Sequence, residues 1–265
     1  MQLPSDLAGW FRPHRRVLLG YSGGVDSTLL AVVGTRVLEP GGLLAVIGRS
    51  ASYPEAQWQV ARDQAGRHGI AVLEIDTDEL ADPSYRANPP ERCYFCKREL
   101  WSKLGGLGSE RGFPTIIDGT HVDDMTGHRP GSRAAAEFGV RSPFVELGWG
   151  KQEVRAAARA MGLAGWESPG SPCLASRIRY GLEVNAERLG QVERAEEYLR
   201  ELGVVGDLRV RHHGDHASIE ATAPMGPVID ERWSAIVAEF RAIGFARVAR
   251  DPRGYRRGSL LPVTS

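Results

Sequence analysis

The most restrictive feature of the sequence is a glycine-rich segment at residues 20–27, Gly-Tyr-Ser-Gly-Gly-Val-Asp-Ser. It follows an apolar run at residues 16–19 and precedes an apolar helical pattern that ends near Val37, an order that predicts strand, tight loop and helix. At such a junction backbone N–H groups and the helix dipole converge on an anion, and adjacent glycines let a ligand approach the backbone. No lysine follows the last glycine, which argues against a P-loop that transfers a γ-phosphate.

Asp26 gives this loop a specific chemical expectation. A carboxylate beside phosphates is repulsive unless a cation lies between them, so Asp26 is predicted to hold Mg²⁺ against a polyphosphate. A glycine turn with an Asp/Ser helix cap is the alternative interpretation of this loop.

A second polar segment begins at Asp118, after a buried strand, at the sheet edge where open α/β sheets bind ligands. A polar loop with an Asx turn is the alternative interpretation of this segment. The predicted ATP-binding residues are Ser22, Gly23, Gly24, Asp26, Ser27, Gly119 and Thr120.

Alternating strands and helices in the first part of the chain predict an α/β domain with a parallel sheet covered on both faces. The expected strands are 16–20, 43–47, 70–75 and 115–117, and the expected helices are 54–68, about 98–104 and 151–161. Two prolines and a glycine in residues 166–172 predict a linker. We therefore expect two domains, at residues 1–168 and 169–265.

The second domain is predicted to be a smaller α+β layer of the order β-α-β-β-α-β. Its expected strands are 182–184, 208–211, 217–221 and 246–249, and its expected helices are 186–202 and 227–243. Arg209 and Arg211 are two apart on a strand, so their side chains share one face. With Ser176 and Arg177 they are predicted to bind a phosphate or carboxylate of the substrate. A solvated edge strand, with the arginines paired to Glu220, is the alternative.

Charge and apolar patterning exclude several partners. The chain has 33 Lys and Arg against 33 Asp and Glu, so no global field attracts nucleic acid or an anionic membrane. No apolar run is long enough for a membrane span, and the first residues lack the pattern of a signal peptide. We expect a cytoplasmic protein without a nucleic-acid or membrane partner.

Three cysteines, Cys93, Cys96 and Cys173, are too few and too odd in number for a disulfide framework. They suit an iron–sulfur cluster with one open iron, or a zinc site completed by His121 or His128. Redox exchange at the Cys93-x-x-Cys96 pair and an incidental pair of thiols are further alternatives. Positive side chains such as Lys97 beside the pair favour the thiolate form that these chemistries use.

Residues 20–27 resemble the pyrophosphate loop of the ATP pyrophosphatase superfamily, with its adenine nucleotide α-hydrolase-like fold. Segments spread over nearly the whole chain are similar, in order and spacing, to the LarE family. These segments are 88–97, 118–124, 129–131, 172–181, 209–212 and 254–260.

The LarE resemblance implies an ATP-dependent sulfur transferase, and therefore an enzyme that cleaves ATP to AMP and pyrophosphate. Its substrate would be a small nucleotide, pyridinium-3,5-biscarboxylic acid mononucleotide, one carboxylate of which is adenylated and converted to a thiocarboxylate on the route to the nickel-pincer nucleotide. Cys93, Cys96 and Cys173 would hold a [4Fe-4S] cluster that delivers sulfur, from a sulfide donor that the resemblance leaves unknown. With Asp26 and Lys97 these cysteines form the predicted catalytic set.

The resemblance also implies a homo-oligomer and an alternative source of sulfur, in which Cys173 gives up its own sulfur and is consumed. Two rival functions are a tRNA-thiolation or amidating pyrophosphatase and a nucleotide-sensing or zinc-binding module without turnover. Zero net charge counts against a tRNA substrate.

Overall fold

The protein is described by a computed structural model over residues 2–125, 129–167, 170, 172–256 and 258–260. It divides into two compact units, one of Met1–Glu79 and Cys93–Ser171 and the other of Leu80–Arg92 and Pro172–Ser265. In the described part of the chain, no helix has both the length and the apolar character needed to cross a bilayer.

The helices and strands follow one another along the chain. The helices are α1 Ser5–Phe11, α2 Val25–Val37, α3 Glu55–His68, α4 Pro83–Arg86, α5 Arg92–Arg111, α6 Pro130–Glu137, α7 Pro143–Glu146, α8 Lys151–Ala160, α9 Ala186–Glu201, α10 Gly226–Glu231 and α11 Trp233–Ile243. The strands are β1 Val17–Gly20, β2 Leu43–Arg49, β3 Val72–Asp76, β4 Thr115–Ile117, β5 Leu208–His212, β6 His216–Ala221 and β7 Arg247–Arg250. Short 3₁₀ turns cover Glu79–Ala81, Val122–Asp124, Leu174–Arg177 and Ala223–Met225.

The first unit is built on a parallel sheet of order β3-β2-β1-β4. Strand β1, in the interior of this sheet, is buried on both faces. Val17 and Leu19 join one apolar core, and Leu18 joins another that includes Trp101. Continuous apolar strands are typical of parallel sheets covered by helices on both sides. The predicted α/β class is therefore confirmed.

The strand order brings two loops of the first unit together. β1 and β4 are neighbours in register, with Val17 opposite Thr115 and Leu19 opposite Ile117. Parallel strands end at the same edge of a sheet, so the loop after Gly20 and the loop after Ile117 emerge side by side.

The second unit contains a three-stranded sheet of order β5-β6-β7, in which β5 and β6 are antiparallel and β6 and β7 are parallel. Leu199 of α9 and Phe240 of α11 pack with Val210 and Ile219 of the sheet in one buried core. Asn185 caps the start of α9, because its side chain accepts a hydrogen bond from the backbone N–H of Arg188 at 2.9 Å.

Two predictions for the second unit are wrong in detail. Residues 182–184 form no strand, because Val184 donates its N–H to Arg86 O at 2.8 Å and thus bonds outside the sheet. The expected helix over 227–243 is two helices, interrupted at Arg232. The interruption leaves both Ile229 and Ile236 in the core.

The segment Leu80–Arg92 belongs to the second unit, whereas the sequence placed it within the first domain. Its central residue is Asn88, which is fully buried and has a left-handed backbone with φ of 54°. The Asn88 side-chain amide donates to the carbonyl oxygens of Ile178, Arg179 and Leu182 at 3.3, 2.8 and 2.9 Å. The predicted boundary after residue 168 lies beside Ser168 and Pro169, outside the described residues, and stays a prediction.

Candidate functional site

The loop between β1 and α2 is shaped by glycines that cannot be replaced without a clash. Gly23 has a left-handed φ of 68°, and a Cβ on it would lie 2.5 Å from Cα of Ala61 in α3. A Cβ on Gly20 would lie 2.8 Å from the Trp101 ring. Because the chain passes this close to its neighbours, the loop is held against α3 and its backbone starts α2 directly at Val25, after Gly24.

Hydrogen bonds fix the loop from inside, from Tyr53 just before α3 and from Gln57 in α3. Ser27 Oγ donates to Gly24 O at 3.1 Å and lies 3.3 Å from Ser22 Oγ. The Ser22 carbonyl accepts from Tyr53 Oη at 3.0 Å and from Gln57 Nε2 at 2.8 Å. Burial raises the pKa of Tyr53 above its usual range, so its hydroxyl stays a donor. The predicted residues Ser22 and Ser27 thus lie together in a braced loop, which has the form of an anion-binding strand-to-helix junction.

The carboxylate of Asp26 lies at the start of α2 and is paired with Lys151. Lys151 Nζ is 2.6 Å from Asp26 Oδ1 and 2.7 Å from Oδ2, and both side chains are about one-quarter to one-third exposed, at 30% and 26%. Lys151 is the first residue of α8, and its backbone N–H donates to Asp123 Oδ2 at 2.7 Å. Lys151 is one of three lysines in the chain, and no motif in the sequence marks it as part of this site.

The segment after β4 lies against the same loop. A Cβ on Gly119 would lie 3.1 Å from Asp26 Cβ and 3.1 Å from the backbone N of Ser27, so the two segments touch. Asp118 accepts from the Thr120 hydroxyl at 2.7 Å and from Ser142 Oγ at 2.7 Å. The structure therefore brings Gly119 next to Asp26 and Ser27, and turns the Thr120 hydroxyl toward Asp118.

The cysteines are distributed over both units. Cys93 and Cys96 lie at the start of α5 in the first unit, and Cys173 precedes the 3₁₀ turn Leu174–Arg177 in the second. Lys97 follows the pair, with Nζ 5.0 Å from the centre of the Trp101 ring. Within the described ranges, no group of three or more His, Cys, Asp or Glu side chains is arranged to hold a metal ion.

The predicted [4Fe-4S] cluster stays a prediction. Its three thiols, Cys93, Cys96 and Cys173, are a chemically suitable ligand set for such a cluster. His121, a candidate ligand for zinc, is buried. Among the residues that the structure describes, its Nδ1 has no hydrogen-bond partner, while its Nε2 is 3.3 Å from Asp124 Oδ2. The other histidine candidate, His128, lies outside the described residues.

Arg177 is a buried structural side chain in the second unit. Its Nε and Nη2 donate to the two carboxylate oxygens of Glu196, each at 2.9 Å. Its Nη1 donates to the carbonyl oxygens of Pro172 and Cys173 and to Ser176 Oγ. The guanidinium therefore fixes the turn that carries Cys173, and no bound anion is needed to balance it.

Arg209 and Arg211 are also buried, each 6% exposed. Arg211 donates to Glu220 Oε2 at 2.9 Å and to the carbonyl oxygen of Ser176 at 3.1 Å. Arg209 donates to the Leu208 carbonyl at 2.6 Å, and burial lowers its pKa. The pairing of Arg211 with Glu220 agrees with the alternative raised from sequence, but the expected solvated face is wrong, because all five residues of β5 are buried. Arg177, Arg209 and Arg211, with Glu196 and Glu220, are called the arginine cluster below.

An open basic groove lies on the same unit. It has a volume of about 390 Å³, and the side chains that line it include Arg179, His213, Ser218, Arg253 and Arg256. Hydrogen bonding to Arg253 lowers the pKa of the neighbouring Asp251 to about 2, so this carboxylate balances part of the positive charge. The groove is open to solvent, in contrast to the arginine cluster.

Comparisons with known proteins decide the family. The sequence profile of the NAD synthase family matches residues 12–92, which include the loop of Ser22 to Ser27. A protein of Lactiplantibacillus plantarum named pyridinium-3,5-bisthiocarboxylic acid mononucleotide synthase is 32% identical, with 93% of this chain and 89% of that protein covered. The chain belongs to the LarE family.

Two further relatives of this LarE family member match over nearly the full length of both chains. An uncharacterized protein of Synechocystis sp. is 42% identical and covers 96% of this chain and 95% of its own. An uncharacterized protein of Methanocaldococcus jannaschii is 29% identical, with 97% and 96% covered. Membership in the LarE family makes the protein an ATP-using sulfurtransferase.

Proposed function

We propose that this LarE family member adenylates a carboxylate of pyridinium-3,5-biscarboxylic acid mononucleotide with ATP and converts it to a thiocarboxylate. The observation that carries the proposal is the relationship, over nearly the full length of both chains, to a protein named for the bisthiocarboxylic acid product. The glycine-shaped loop after β1 supports the ATP half, because it presents the start of α2 as a site for phosphate.

The reaction has two steps. In the first, a carboxylate oxygen of the substrate attacks the α-phosphorus of ATP, and the bond to the bridging oxygen breaks to release pyrophosphate. In the second, a sulfur nucleophile attacks the acyl carbon, and AMP leaves with the electron pair of the C–O bond. Ser22, Gly23, Gly24, Ser27, Gly119 and Thr120 are proposed to surround ATP, with Asp26 holding Mg²⁺, whose role is to neutralise phosphate charge.

The substrate is proposed to bind on the second unit. The residues predicted for this role, Ser176, Arg177, Arg209 and Arg211, include two arginines that are already paired with carboxylates. We therefore assign Arg177 and Arg211 to positioning Ser176 and Cys173, and add the open groove near Arg253 and Arg256 as the surface that can accept an anionic group.

The sulfur source is proposed to be a [4Fe-4S] cluster held by Cys93, Cys96 and Cys173, which supplies a sulfide when bound. The support is the presence of three thiols, since a route that consumes only Cys173 has no use for the other two. In that alternative route the Cys173 thiolate forms a thioester, after which loss of its Cα proton and cleavage of its Cβ–S bond release the thiocarboxylate. A cytoplasmic homo-oligomer is part of the same proposal.

One experiment tests both the reaction and the sulfur source. Anaerobically prepared protein is incubated with ATP, Mg²⁺ and the dicarboxylate mononucleotide. The masses of the products and of the protein are then measured by mass spectrometry. Substrate-dependent AMP together with a product that has exchanged oxygen for sulfur is expected. AMP formation that does not depend on this mononucleotide would refute the proposed substrate.

The cysteine variants separate the two sulfur routes. With a cluster, the wild type is expected to contain iron and to turn over repeatedly with sulfide, and Cys93→Ser/Cys96→Ser is expected to lose both properties. A wild-type protein that makes one product per chain and loses the mass of H₂S at Cys173 would contradict the cluster route. Cys173→Ser is the matched control, because it is expected to be inactive in either route.

A further inference from the structure

A buried carboxylate lies at one end of a hydrogen-bond relay to the loop between β1 and α2. Glu79 follows β3, begins a 3₁₀ turn and is 2% exposed. Its Oε1 accepts a hydrogen bond from Ser50 Oγ at 2.7 Å, and among the residues that the structure describes it has no cationic partner within 4 Å. A buried carboxylate without a cation lowers stability unless its hydrogen bonds compensate, so this one calls for an explanation.

Ser50 connects this carboxylate to the turn that follows β2. Because Glu79 accepts the hydrogen of the Ser50 hydroxyl, the oxygen of that hydroxyl is left to accept from the backbone N–H of Ser52 at 3.2 Å. The carbonyl oxygen of Ser50 accepts from the backbone N–H of Tyr53 at 3.0 Å. Ser52 is as buried as Glu79, at 2%. The turn is therefore closed by its own hydrogen bonds and fixed from inside the protein.

Tyr53 extends the relay from this turn to the loop between β1 and α2. Its hydroxyl donates to the carbonyl oxygen of Ser22 at 3.0 Å, and the same carbonyl accepts from Gln57 Nε2 of α3 at 2.8 Å. Ser22 is also held from inside the loop, because Ser27 Oγ lies 3.3 Å from both its backbone N and its Oγ. Two side chains therefore hold one carbonyl of the loop, Gln57 from the helix and Tyr53 from the turn that Glu79 fixes.

The planar peptide bond transmits this hold to a hydrogen-bond donor. The Ser22 carbonyl and the Gly23 N–H belong to one trans peptide group, in which the two bonds point in opposite directions. Because Tyr53 and Gln57 hold the carbonyl, the N–H points away from both side chains. Gly23 is one of the residues proposed to surround ATP, so its N–H is a donor whose direction the relay determines.

We propose that Tyr53, held on the turn that Glu79 and Ser50 fix, is a positioning residue that directs the Gly23 N–H toward a phosphate of ATP. Tyr53 and Glu79 themselves do not contact the nucleotide. The stability that the buried carboxylate costs is offset when ATP binds, because a donor that already has its direction needs no reorientation. The inference rests on the proposed use of this loop for ATP, and it does not depend on the sulfur acceptor or the sulfur source.

The probe is α,β-methylene-ATP with Mg²⁺, which cannot be cleaved between the α- and β-phosphates, and the measurement is isothermal titration calorimetry on the full-length protein. Tyr53→Phe removes the hydroxyl and keeps the ring, and it is expected to weaken binding about 3- to 10-fold, as for loss of one hydrogen bond. Tyr94→Phe is the matched control. The Tyr94 hydroxyl donates to Glu137 at 2.8 Å and its ring packs on the other apolar core of the unit, so binding is expected to change less than about twofold.

The remote members of the relay separate positioning from direct contact with the nucleotide. Ser50→Ala and Glu79→Leu each release the turn and are expected to weaken binding about as much as Tyr53→Phe. Glu79→Gln keeps an acceptor oxygen and is expected to recover most of the affinity. Because Ser50 and Tyr53 act in series, Ser50→Ala/Tyr53→Phe is expected to bind less than about twofold more weakly than the weaker single variant. Gln57→Leu/Tyr53→Phe removes both supports of the Ser22 carbonyl, and its loss is expected to be at least the product of the two single losses.

A wild type that does not bind the analogue overturns the inference together with the proposed use of the loop for ATP. If the wild type binds it and Tyr53→Phe and Ser50→Ala bind it equally tightly, the inference alone is overturned. The same holds if the loss in Ser50→Ala/Tyr53→Phe is the product of the single losses. A role that is only structural would lower the melting temperature and leave the affinity unchanged, so circular dichroism measures the melting temperature of each variant. If Glu79→Leu does not fold, Ser50→Ala and Tyr53→Phe provide the test.

Discussion

The loop of the first unit and the arginine cluster of the second use charge in opposite ways. At the loop, one partly exposed pair, Asp26 and Lys151, lies among glycines whose missing side chains leave the backbone close to its neighbours. In the cluster, Arg177 and Arg211 are almost fully buried and their carboxylate partners Glu196 and Glu220 satisfy them. A partly exposed pair can open for a ligand, whereas a buried pair leaves an uncompensated charge when it is broken.

The largest expected effect comes from breaking a buried pair in the second unit. Arg211→Met leaves Glu220, which is 3% exposed, without its guanidinium partner, and is expected to lower the free energy of unfolding by about 3 to 5 kcal/mol. Guanidinium denaturation followed by circular dichroism measures it. Arg211→Met/Glu220→Leu is the control and is expected to regain more than half of the loss. If the free energy of unfolding of Arg211→Met lies within about 1 kcal/mol of the wild-type value, the buried pair does not stabilise the fold.

The next prediction tests the glycines of the first unit. Gly23→Ala is expected to cost about 3 kcal/mol of unfolding free energy, because the new Cβ overlaps Ala61 in addition to straining a left-handed backbone. Gly41→Ala is the matched control: Gly41 has a similar φ of 78° with no atom within 4 Å of the new Cβ, and should cost about 1 kcal/mol. If Gly23→Ala and Gly41→Ala lose the same unfolding free energy, the close approach to α3 does not explain the glycine at position 23.

A third prediction concerns pH and the buried strand β5. Burial lowers the pKa of His212 to about 4, and the neutral ring is 2.8 Å from Gln191 Oε1. The unfolded chain takes up a proton near pH 6.5 and the folded chain only near pH 4, so stability is full above about 6.5 and falls as the pH decreases between these values. The expected loss between pH 7 and pH 5 is about 2 kcal/mol.

Denaturation curves of wild type and His212→Gln at several pH values check this prediction. The variant cannot titrate at this position, so its stability is expected to change less over the same range. Parallel pH dependences in the two proteins would mean that another group controls the acid sensitivity.

The smallest expected effect tests whether an exposed ion pair contributes less to stability than a buried one. Arg247 and Asp215 form a pair at 2.9 Å in the same unit as Arg211, but their side chains are 70% and 58% exposed. Arg247→Ala is expected to change the melting temperature by less than about 2 °C, because solvent screens an exposed pair. A differential scanning calorimetry shift as large as that of Arg211→Met would show that the contrast between buried and exposed pairs does not hold.

The parts of the fold that could be predicted are those with strong local signals. The apolar runs of β1 and β2 and the glycine loop after β1 indicated the parallel sheet, and the rule that ligands bind where parallel strands end placed Gly119 near Asp26. Residues 182–184 looked like a strand by composition. Their hydrogen bonds instead join Val184 to Arg86 and Leu182 to Asn88, which lie 98 and 94 residues earlier, and no local pattern indicates such partners.

The charged contacts of the site were harder to predict for a related reason. Lys151 and Asp26 are 125 residues apart, and a lysine at the start of a helix carries no signal of its partner. For Arg209 and Arg211 the spacing correctly gave a shared face, but an edge strand is usually exposed on one side, and β5 is buried throughout. Two arginines at alternate positions of a strand are therefore compatible both with an open anion site and with internal ion pairs, and the burial of the strand decides between them.

The hydrogen bonds of Asn88 have a consequence for synthesis on the ribosome. Its three carbonyl partners lie 90 to 94 residues later in the chain, so they do not exist when Asn88 leaves the exit tunnel. At roughly 5 to 20 residues per second, the segment around Asn88 waits roughly 5 to 20 s for them. During that interval the sheet of the first unit can be completed through β4, while a short strip of the second unit remains without the residues that bury it.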